Sequence, residues 1–130
     1  MLTNVMKKAY LNKVYNALPI RLTSEWRMKI ACQFALESDF GRSRLAVSSN
    51  NHCGMKVPVL RVTTATNISS YDVGSFASYD SFESCLSDYL IWLAYNKVNS
   101  YSQWEKSLRI YCPESDYYNR INSIYKQFKK

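Results

Sequence analysis

Residues 35–46 read ALESDFGRSRLA, and this stretch decides the fold of the chain. An apolar run leads to an acid, Glu37, and the helical pattern is interrupted soon after, at Asp39, Phe40 and Gly41. The chain has only 3 glycines, so Gly41 is expected where the backbone needs its freedom. A carboxylate at the end of a buried helix is either a paired structural charge or a proton donor.

The composition is that of a single folded domain. The chain has 130 residues, of which 47% are hydrophobic and 15% aromatic, and this predicts one packed domain over residues 1–130. The formal net charge of +7 favours an anionic partner, such as nucleic acid, a membrane surface or an acidic cell-wall polymer. Because the sequence contains no nucleic-acid-binding motif, nucleic acid is not an expected partner.

Cysteine and histidine usage predicts no metal site and no cofactor. No two cysteines have C-x-x-C spacing, and the single histidine, His52, adjoins only Cys53. Cys32 and Cys85 fall on apolar helical positions and are predicted to be core thiols, while disulfides are left open. No signal peptide is recognisable, and no run has the length of a membrane span, so membrane insertion is not expected.

The apolar periodicity predicts an α+β fold that is mainly α. The predicted helices cover residues 4–18, 25–38 with a cap at Thr23 or Ser24, one or two turns within 43–48, 81–95, 101–111 and 117–128. Residues 57–80 are predicted to form a small β-hairpin lobe. Its β-branched residues 62–64 form one strand, residues 69–74 a loop and residues 76–79 a second strand.

Helical geometry gives Glu37 a particular environment. At about 100° per residue it lies ~20° from Trp26 and ~20° from Ile30, on an apolar face. Burial and the negative end of the helix dipole both raise a carboxyl pKa, and a glycosidase needs such an acid to protonate the departing sugar oxygen. The alternative is a structural ion pair with Arg42 or Arg44, and the residues alone leave both interpretations open.

Four blocks of the sequence are similar, in the same order and with similar spacing, to one enzyme family. They read IACQFALESDFGRSRLA at 30–46, NNHCGMK at 50–56, FASYDSFESCLSDY at 76–89 and YCPESDY at 111–117. These blocks resemble the glucosaminidase family of peptidoglycan hydrolases, glycoside hydrolase family 73, which includes flagellar and autolysin-type N-acetylglucosaminidases. The resemblance implies a lysozyme-like helical domain whose small β lobe forms one wall of a cleft.

The resemblance also implies roles for individual residues. Glu37 matches the general acid, and Tyr117 matches a tyrosine that faces the site. The predicted substrate-binding residues are Phe40, Asn51, Lys56 and Tyr79. Tyr117 has core packing as its alternative, and Asn51 has a role in a turn.

The chain departs from the family pattern where a second catalytic carboxylate is often found. That position falls near residues 64–67, none of which is acidic, and Asp72 is the only acid of the lobe before Asp80. Asp72 is predicted as a catalytic residue that activates water, which would invert the anomeric centre. In the alternative route, the N-acetyl oxygen of the substrate attacks and tyrosines stabilise the charge.

The predicted function is a peptidoglycan hydrolase that cleaves β-1,4 bonds, as an endo-β-N-acetylglucosaminidase of the phage lysin or virion-associated type. The alternatives are a muramidase, a lytic transglycosylase on the same fold, and a non-catalytic glycan-binding or phage tail protein. Expected partners are peptidoglycan glycan strands and phage virion components. Without a signal peptide, the protein is expected to be made in the cytoplasm and to reach the wall by lysis, on a virion or by other export.

Overall fold

A computed structural model describes residues 1–68 and 75–129, and this part of the chain contains six helices and one small sheet. The helices are α1 (Asn4–Ala17), α2 (Ser24–Ser38), α3 (Arg44–Ser49), α4 (Phe82–Tyr95), α5 (Tyr101–Tyr111) and α6 (Tyr117–Phe128). The sheet pairs β1 (Asn67–Ile68) with β2 (Ala77–Ser78) in antiparallel orientation. The predicted α+β, mainly α class is confirmed, and every helix boundary lies within one residue of its prediction.

Side-chain caps explain where the helices begin. The hydroxyl of the residue before each of the first five helices accepts a hydrogen bond from a first-turn amide: Thr3, Thr23, Ser43, Ser81 and Ser100. Such a cap satisfies an amide that has no partner within the helix and contributes about 1 kcal/mol. For α2 the cap is Thr23, which resolves the choice between Thr23 and Ser24.

Helix α2 lies at the centre of the fold, as its apolar sequence predicted. It packs against α1 and α6, and its buried side chains include Trp26, Ile30 and Phe34. Burying each side chain of this size contributes about 1.5–3 kcal/mol relative to leaving it exposed. The helix is therefore held on several sides, and the position of Glu37 in its last turn is fixed by the core.

Within the described residues 57–68 and 75–80, the strands of the β lobe are shorter than predicted. Residues 62–64 do not form a strand, because Thr63 and Thr64 turn their hydroxyls to α4 and donate to Asp88 Oδ1 and to the Ser84 carbonyl. The observed pairing joins Asn67 to Ser78 and Ile68 to Ala77. The predicted loop over 69–74 lies outside the described residues.

A buried ion pair attaches the lobe to α4. Arg61 Nη1 lies 2.6 Å from Asp88 Oδ1, and the two side chains are 6% and 0% exposed. The Tyr79 hydroxyl donates to Asp88 Oδ2 at 2.5 Å and the Thr63 hydroxyl to Oδ1 at 2.8 Å. Because buried charges are tolerated only when paired and hydrogen-bonded, this cluster holds the chain between α3 and α4 against the helical body.

The cysteines behave as core thiols. Cys32 and Cys85 are fully buried, which confirms their prediction, and all four cysteines are free. Cys53 Sγ lies 3.4 Å from Cys85 Sγ without a covalent bond. Over residues 1–68 and 75–129, the helices lack the combination of length and apolarity that a bilayer span requires.

Candidate active site

The backbone after α2 places Glu37 at the very end of a helix. Three consecutive residues adopt positive φ: Asp39 at 52°, Phe40 at 55° and Gly41 at 82°. Ser38 secures this turn, since its hydroxyl donates to the Phe34 carbonyl at 2.7 Å and accepts from the Gly41 amide at 2.8 Å. A Cβ on Gly41 would stand 2.8 Å from the Tyr10 ring, so both conformation and space require glycine there.

The carboxyl group of Glu37 is half-buried and touches Tyr117 directly. The Tyr117 hydroxyl donates to Glu37 Oε2 at 2.6 Å. Burial raises the pKa of Glu37 above its usual value, Glu114 raises it further, and the Tyr117 hydrogen bond and Arg120 oppose the rise. The carboxyl group therefore keeps its proton to higher pH than a free glutamic acid, as a general acid requires.

The structural ion-pair interpretation of Glu37 finds no support. Arg42 pairs with Asp39 at 2.8 Å, and Arg44 is exposed. Among residues 1–68 and 75–129, Glu37 takes part in no salt bridge. Tyr117 supplies a hydrogen bond to the Glu37 carboxyl group, and the charges of Arg120 and Glu114 act on the pKa of Glu37 in opposite directions.

Tyr117 is a buried hydrogen-bond donor, not a titrating group. The residue is 3% exposed, and burial together with the charge of Glu37 raises the pKa of Tyr117 far above its usual value. Gln33 Nε2 donates to the Tyr117 oxygen at 3.0 Å, and the Tyr111 ring stacks on the Tyr117 ring at 6.3 Å. Tyr117 thus combines core packing with a direct contact to Glu37.

Gly54 lies on the other side of the Glu37 carboxyl group. Its φ is 73°, and a Cβ built on it would stand 2.8 Å from Glu37 Oε1. An L-residue would strain the backbone and collide with the carboxyl group. Because Gly54 has no side chain, Glu37 Oε1 can lie beside its α-carbon.

Asn51 braces the loop that presents Gly54. Its Nδ2 donates to the carbonyls of Met55 and Ala77 at 2.9 and 2.8 Å, and its Oδ1 accepts from the Gly54 amide at 2.9 Å. Asn51 is 1% exposed, and its predicted role in binding substrate stays a prediction. Its side chain is fully used in shaping the loop.

Tyr79 is buried in the same way, and its predicted role in binding substrate stays a prediction. It is 3% exposed, and its hydroxyl is bound to Asp88 beneath the lobe. This hydrogen bond helps to hold the lobe against α4. Lys56, in contrast, is exposed, forms a β-bridge with Phe76 and places Nζ 5.8 Å from the Phe76 ring centroid.

Phe40 supports the helix end. Its ring contacts Tyr10 and Phe128 edge-on at 6.1 and 6.4 Å, and Lys7 Nζ lies 5.3 Å from its centroid. These partners belong to α1 and to the end of α6. The contacts fix the turn after Glu37, and the predicted place of Phe40 in the wall of the cleft stays a prediction.

Two surface depressions adjoin the Glu37 site. A groove of about 530 Å³ runs between the segment 54–61 and helices α4 and α5, with Gly54, Lys56, Trp92, Tyr95 and Tyr111 in its lining. A second cavity of about 940 Å³ lies where α5 meets α6, with Glu114 and Tyr117 in its lining. Tyr117, in the lining of the cavity, donates to Glu37 Oε2, and Gly54, in the lining of the groove, lies beside Glu37 Oε1.

The sequence did not reveal the residues that support the site. Gln33, Tyr89, Trp104 and Tyr111 come from three helices, and each alone has the pattern of a core residue. The catalytic prediction for Asp72 lies outside the described residues. No cluster of three or more potential metal ligands occurs in the part of the chain that the structure describes.

Comparison with known families identifies the enzyme class. The model described as Glucosaminidase, mannosyl-glycoprotein endo-beta-N-acetylglucosaminidase, matches residues 27–130. The chain belongs to the glucosaminidase family. It is a glycoside hydrolase, as predicted from the sequence blocks, and membership in this family supports the predicted hydrolysis of peptidoglycan.

The fold of this glucosaminidase is also found in a solved structure. The similar chain comes from the structure of a type VI secretion system effector-immunity complex from Pseudomonas protegens, with a TM-score of 0.64 and 15% identity. The likeness covers 99% of this chain and 98% of that chain. At this identity it shows the fold alone. No curated protein matches the chain.

Proposed function

We propose that this glucosaminidase cleaves β-1,4 bonds of bacterial peptidoglycan as an endo-β-N-acetylglucosaminidase, with Glu37 as the general acid. The observation that carries the proposal is the arrangement of the Glu37 carboxyl group between Tyr117 and Gly54. One oxygen receives a hydrogen bond, and the other lies over a residue that has no side chain. Burial favours the protonated form that the first step consumes.

Tyr117 has a role in the proton transfer. When Glu37 gives its proton to the departing glycosidic oxygen, the acid becomes a carboxylate. A hydrogen bond to a carboxylate is stronger than one to a neutral acid, so the Tyr117 contact strengthens as the reaction proceeds. An interaction that is stronger in the transition state than in the ground state accelerates the chemical step.

The second half of the reaction has two candidate routes. Asp72 could activate a water molecule on the opposite face of the sugar, which inverts the anomeric centre. The acetamido oxygen of the substrate could instead attack, which retains it. Proton NMR of the first-formed anomer separates the routes: inversion together with inactivity of Asp72→Asn supports Asp72, and retention supports the substrate-assisted route.

The groove beside Gly54 suits a glycan strand. Its aromatic lining from Trp92, Tyr95 and Tyr111 offers flat apolar faces of the kind on which sugar rings stack. The net charge of +7 favours an anionic wall. Attraction of this kind is screened by salt, so binding to whole walls is expected to weaken as ionic strength rises.

The test is digestion of purified peptidoglycan by the native protein and by Glu37→Gln, with mass spectrometry of the fragments. The expected result is release of N-acetylglucosamine reducing ends by the native protein and none by the variant. Glu83→Gln is the matched control, because Glu83 is an exposed acid in the first turn of α4. Activity retained in Glu37→Gln would overturn the role of this acid.

The fragment chemistry also decides between the alternatives. Muramic acid reducing ends would indicate a muramidase, and anhydro-muramic ends a lytic transglycosylase. Glycan binding with neither new reducing ends nor anhydro ends would indicate a non-catalytic protein. Each outcome replaces the proposed bond specificity while leaving the membership in the family unchanged.

The biological setting that we propose is action on the cell wall after delivery from the cytoplasm. A phage lysin meets the wall at lysis or on a virion. The effector-immunity complex of the similar solved structure suggests a second setting, secretion into a competing bacterium. Toxicity on export to the periplasm is expected in both settings. A dedicated protein from the producing cell that binds and inhibits the enzyme would favour the effector setting.

A further inference from the structure

Five side chains from four helices form one continuous hydrogen-bonded chain that ends at Glu37. Trp104 Nε1 donates to the Tyr89 hydroxyl at 2.8 Å, and Tyr89 donates to Gln33 Oε1 at 2.5 Å. Gln33 Nε2 donates to the Tyr117 hydroxyl at 3.0 Å, and Tyr117 donates to Glu37 Oε2 at 2.6 Å. These five residues are called the donor chain below.

The direction of the donor chain is set at its far end. The indole N–H of Trp104 can donate but cannot accept, so Tyr89 must accept from it and place its own hydrogen on an acceptor. That acceptor is the amide oxygen of Gln33, which leaves the NH₂ group of Gln33 for Tyr117. Turning the amide over would leave the Tyr89 hydrogen without an acceptor, and Tyr89 is 0% exposed.

The last donor decides which oxygen of Glu37 can carry a proton. Tyr117 accepts from Gln33, so its hydrogen points to Glu37 Oε2, which serves as an acceptor. In the protonated acid the proton must then sit on Oε1. This oxygen is the one that lies against Gly54, a residue in the lining of the groove.

We propose that Trp104, Tyr89 and Gln33 are positioning residues that keep the transferable proton of the acid on the oxygen facing Gly54. They keep the Tyr117 hydroxyl donating to Glu37 Oε2. Their effect on the acid passes through this hydrogen bond, and they do not touch the reacting atoms. The inference rests on the proposed function of Glu37 as the general acid. It adds to that function an orientation that distant, buried residues determine.

The groups around Glu37 determine the direction in which its pKa is expected to change. The titratable and charged groups that face Glu37 from the neighbouring elements are Tyr89, Tyr111, Cys112, Glu114, Tyr117 and Arg120. Of these, Tyr117 is the group that the donor chain directs, and its hydrogen bond lowers the pKa of Glu37 against the effect of burial. If the bond is lost, the pKa of Glu37 rises. The alkaline limb of the pH profile of kcat, where the rate falls as the acid loses its proton, then moves to higher pH.

The first variant is Tyr89→Phe. It removes the acceptor of Trp104 and frees the Gln33 amide to turn, so that Gln33 Oε1 competes with Glu37 for the Tyr117 hydrogen. The expected result is an alkaline limb at higher pH, a kcat about tenfold lower at the optimum and an unchanged KM. A merely structural role of Tyr89 would lower the melting temperature without moving the limb.

The second variant adds Gln33→Met to Tyr89→Phe. A thioether is a weak acceptor and has no amide oxygen to compete for the Tyr117 hydrogen. The alkaline limb is therefore expected to return toward its native position, although the double variant has lost more hydrogen bonds. If the limb of the double variant stays displaced as far as that of Tyr89→Phe, the orienting role is wrong.

The matched control is Tyr118→Phe, which removes another tyrosine hydroxyl, bound to Lys29 and Tyr101. It is expected to leave the limb in place. Should Tyr89→Phe fail to fold, Gln33→Glu tests the same point, because it offers Tyr117 an acceptor and should also displace the limb upward. An undisplaced limb in that variant overturns the proposal.

A carbon-13 NMR titration of the Glu37 carboxyl group provides a readout that does not depend on turnover. It should show the same displacement in Tyr89→Phe and the same return in the double variant. Activity in Glu37→Gln would refute the proposed function. An unmoved NMR titration combined with an inactive Glu37→Gln would refute only the orienting role.

Discussion

Gly54 lies so close to Glu37 that a methyl group on its α-carbon would stand 2.8 Å from the carboxyl oxygen Oε1. In the function that we propose, this contact lies on the side of the acid from which a substrate oxygen receives a proton. It joins the loop after α3 to the end of α2. The backbone at Gly54 has φ 73°, so the contact depends on a conformation that only glycine adopts at low cost.

Gly54→Ala is therefore expected to displace the Glu37 carboxyl group and to lower kcat by about 100-fold, since small displacements of a catalytic group have costs of this size. Backbone strain should lower the free energy of unfolding by about 1–2 kcal/mol. Kinetics and chemical denaturation measure the two effects. Gly41→Ala is the control, because it strains the backbone against Tyr10 and should lower stability with a smaller loss of kcat.

Tyr117→Phe should move the alkaline limb of kcat to higher pH. The variant loses the hydrogen bond that favours the carboxylate form of Glu37, so the pKa of Glu37 rises. It should also lower kcat by about tenfold or more, the value of one hydrogen bond to a charged group. Tyr118→Phe is the control, since its hydroxyl binds Lys29 instead. If Tyr117→Phe keeps the alkaline limb of the native protein, the hydrogen bond between Tyr117 and Glu37 is contradicted.

Local sequence rules predicted the helices because caps and apolar periodicity are local properties. Thr23 and the apolar positions around Ile30 fix α2 within one residue, and the same geometry placed Glu37 at its buried end. The β lobe was predicted less well. Its segment 62–64 has β-branched residues, but two threonine hydroxyls satisfy acceptors on α4 in place of a strand partner.

The residues of the site also differ in whether a sequence pattern reveals them. Matching blocks of sequence pointed to Glu37 and Tyr117, and the structure places the two side chains in direct contact. Gln33 and Trp104 belong to the site only through a hydrogen-bonded path that crosses from α5 to α2, and no local pattern reports such a path. The burial of Tyr79 was not predicted, because a sequence block does not state on which side of the chain a side chain lies.

Glu37→Gln should stabilise the protein at neutral pH. The pKa of Glu37 is raised in the folded state. The stability that its protonated carboxyl group contributes is therefore complete only below the usual pKa of 4.5 and is lost as pH rises through the folded pKa. The neutral glutamine does not suffer this loss. Thermal unfolding should show a higher melting temperature for the variant at pH 7 and a smaller difference below pH 4.5. An equal difference at both pH values would contradict the raised pKa.

His52 gives the opposite pH dependence. It is buried against Tyr10, and burial lowers the pKa of His52 from 6.5 to about 4. The unfolded chain therefore binds a proton that the folded chain does not, and stability should fall by about 2–3 kcal/mol as pH drops from 6.5 to about 4. His52→Phe keeps the stacked ring and should flatten this slope, as measured by denaturation at several pH values. A slope unchanged in the variant would assign the acid sensitivity to other groups.

Arg61→Met should be among the most destabilising single changes in the lobe. It leaves the Asp88 charge buried at 0% exposure without its cation, and breaking a buried pair in this way costs about 3–5 kcal/mol. Met keeps most of the apolar length of the side chain, so lost packing contributes little. Arg42→Met is the matched control, because its pair with Asp39 is exposed and such pairs contribute about 0–1 kcal/mol. Equal losses of unfolding free energy in the two variants would show that the Arg61–Asp88 pair does not anchor the lobe.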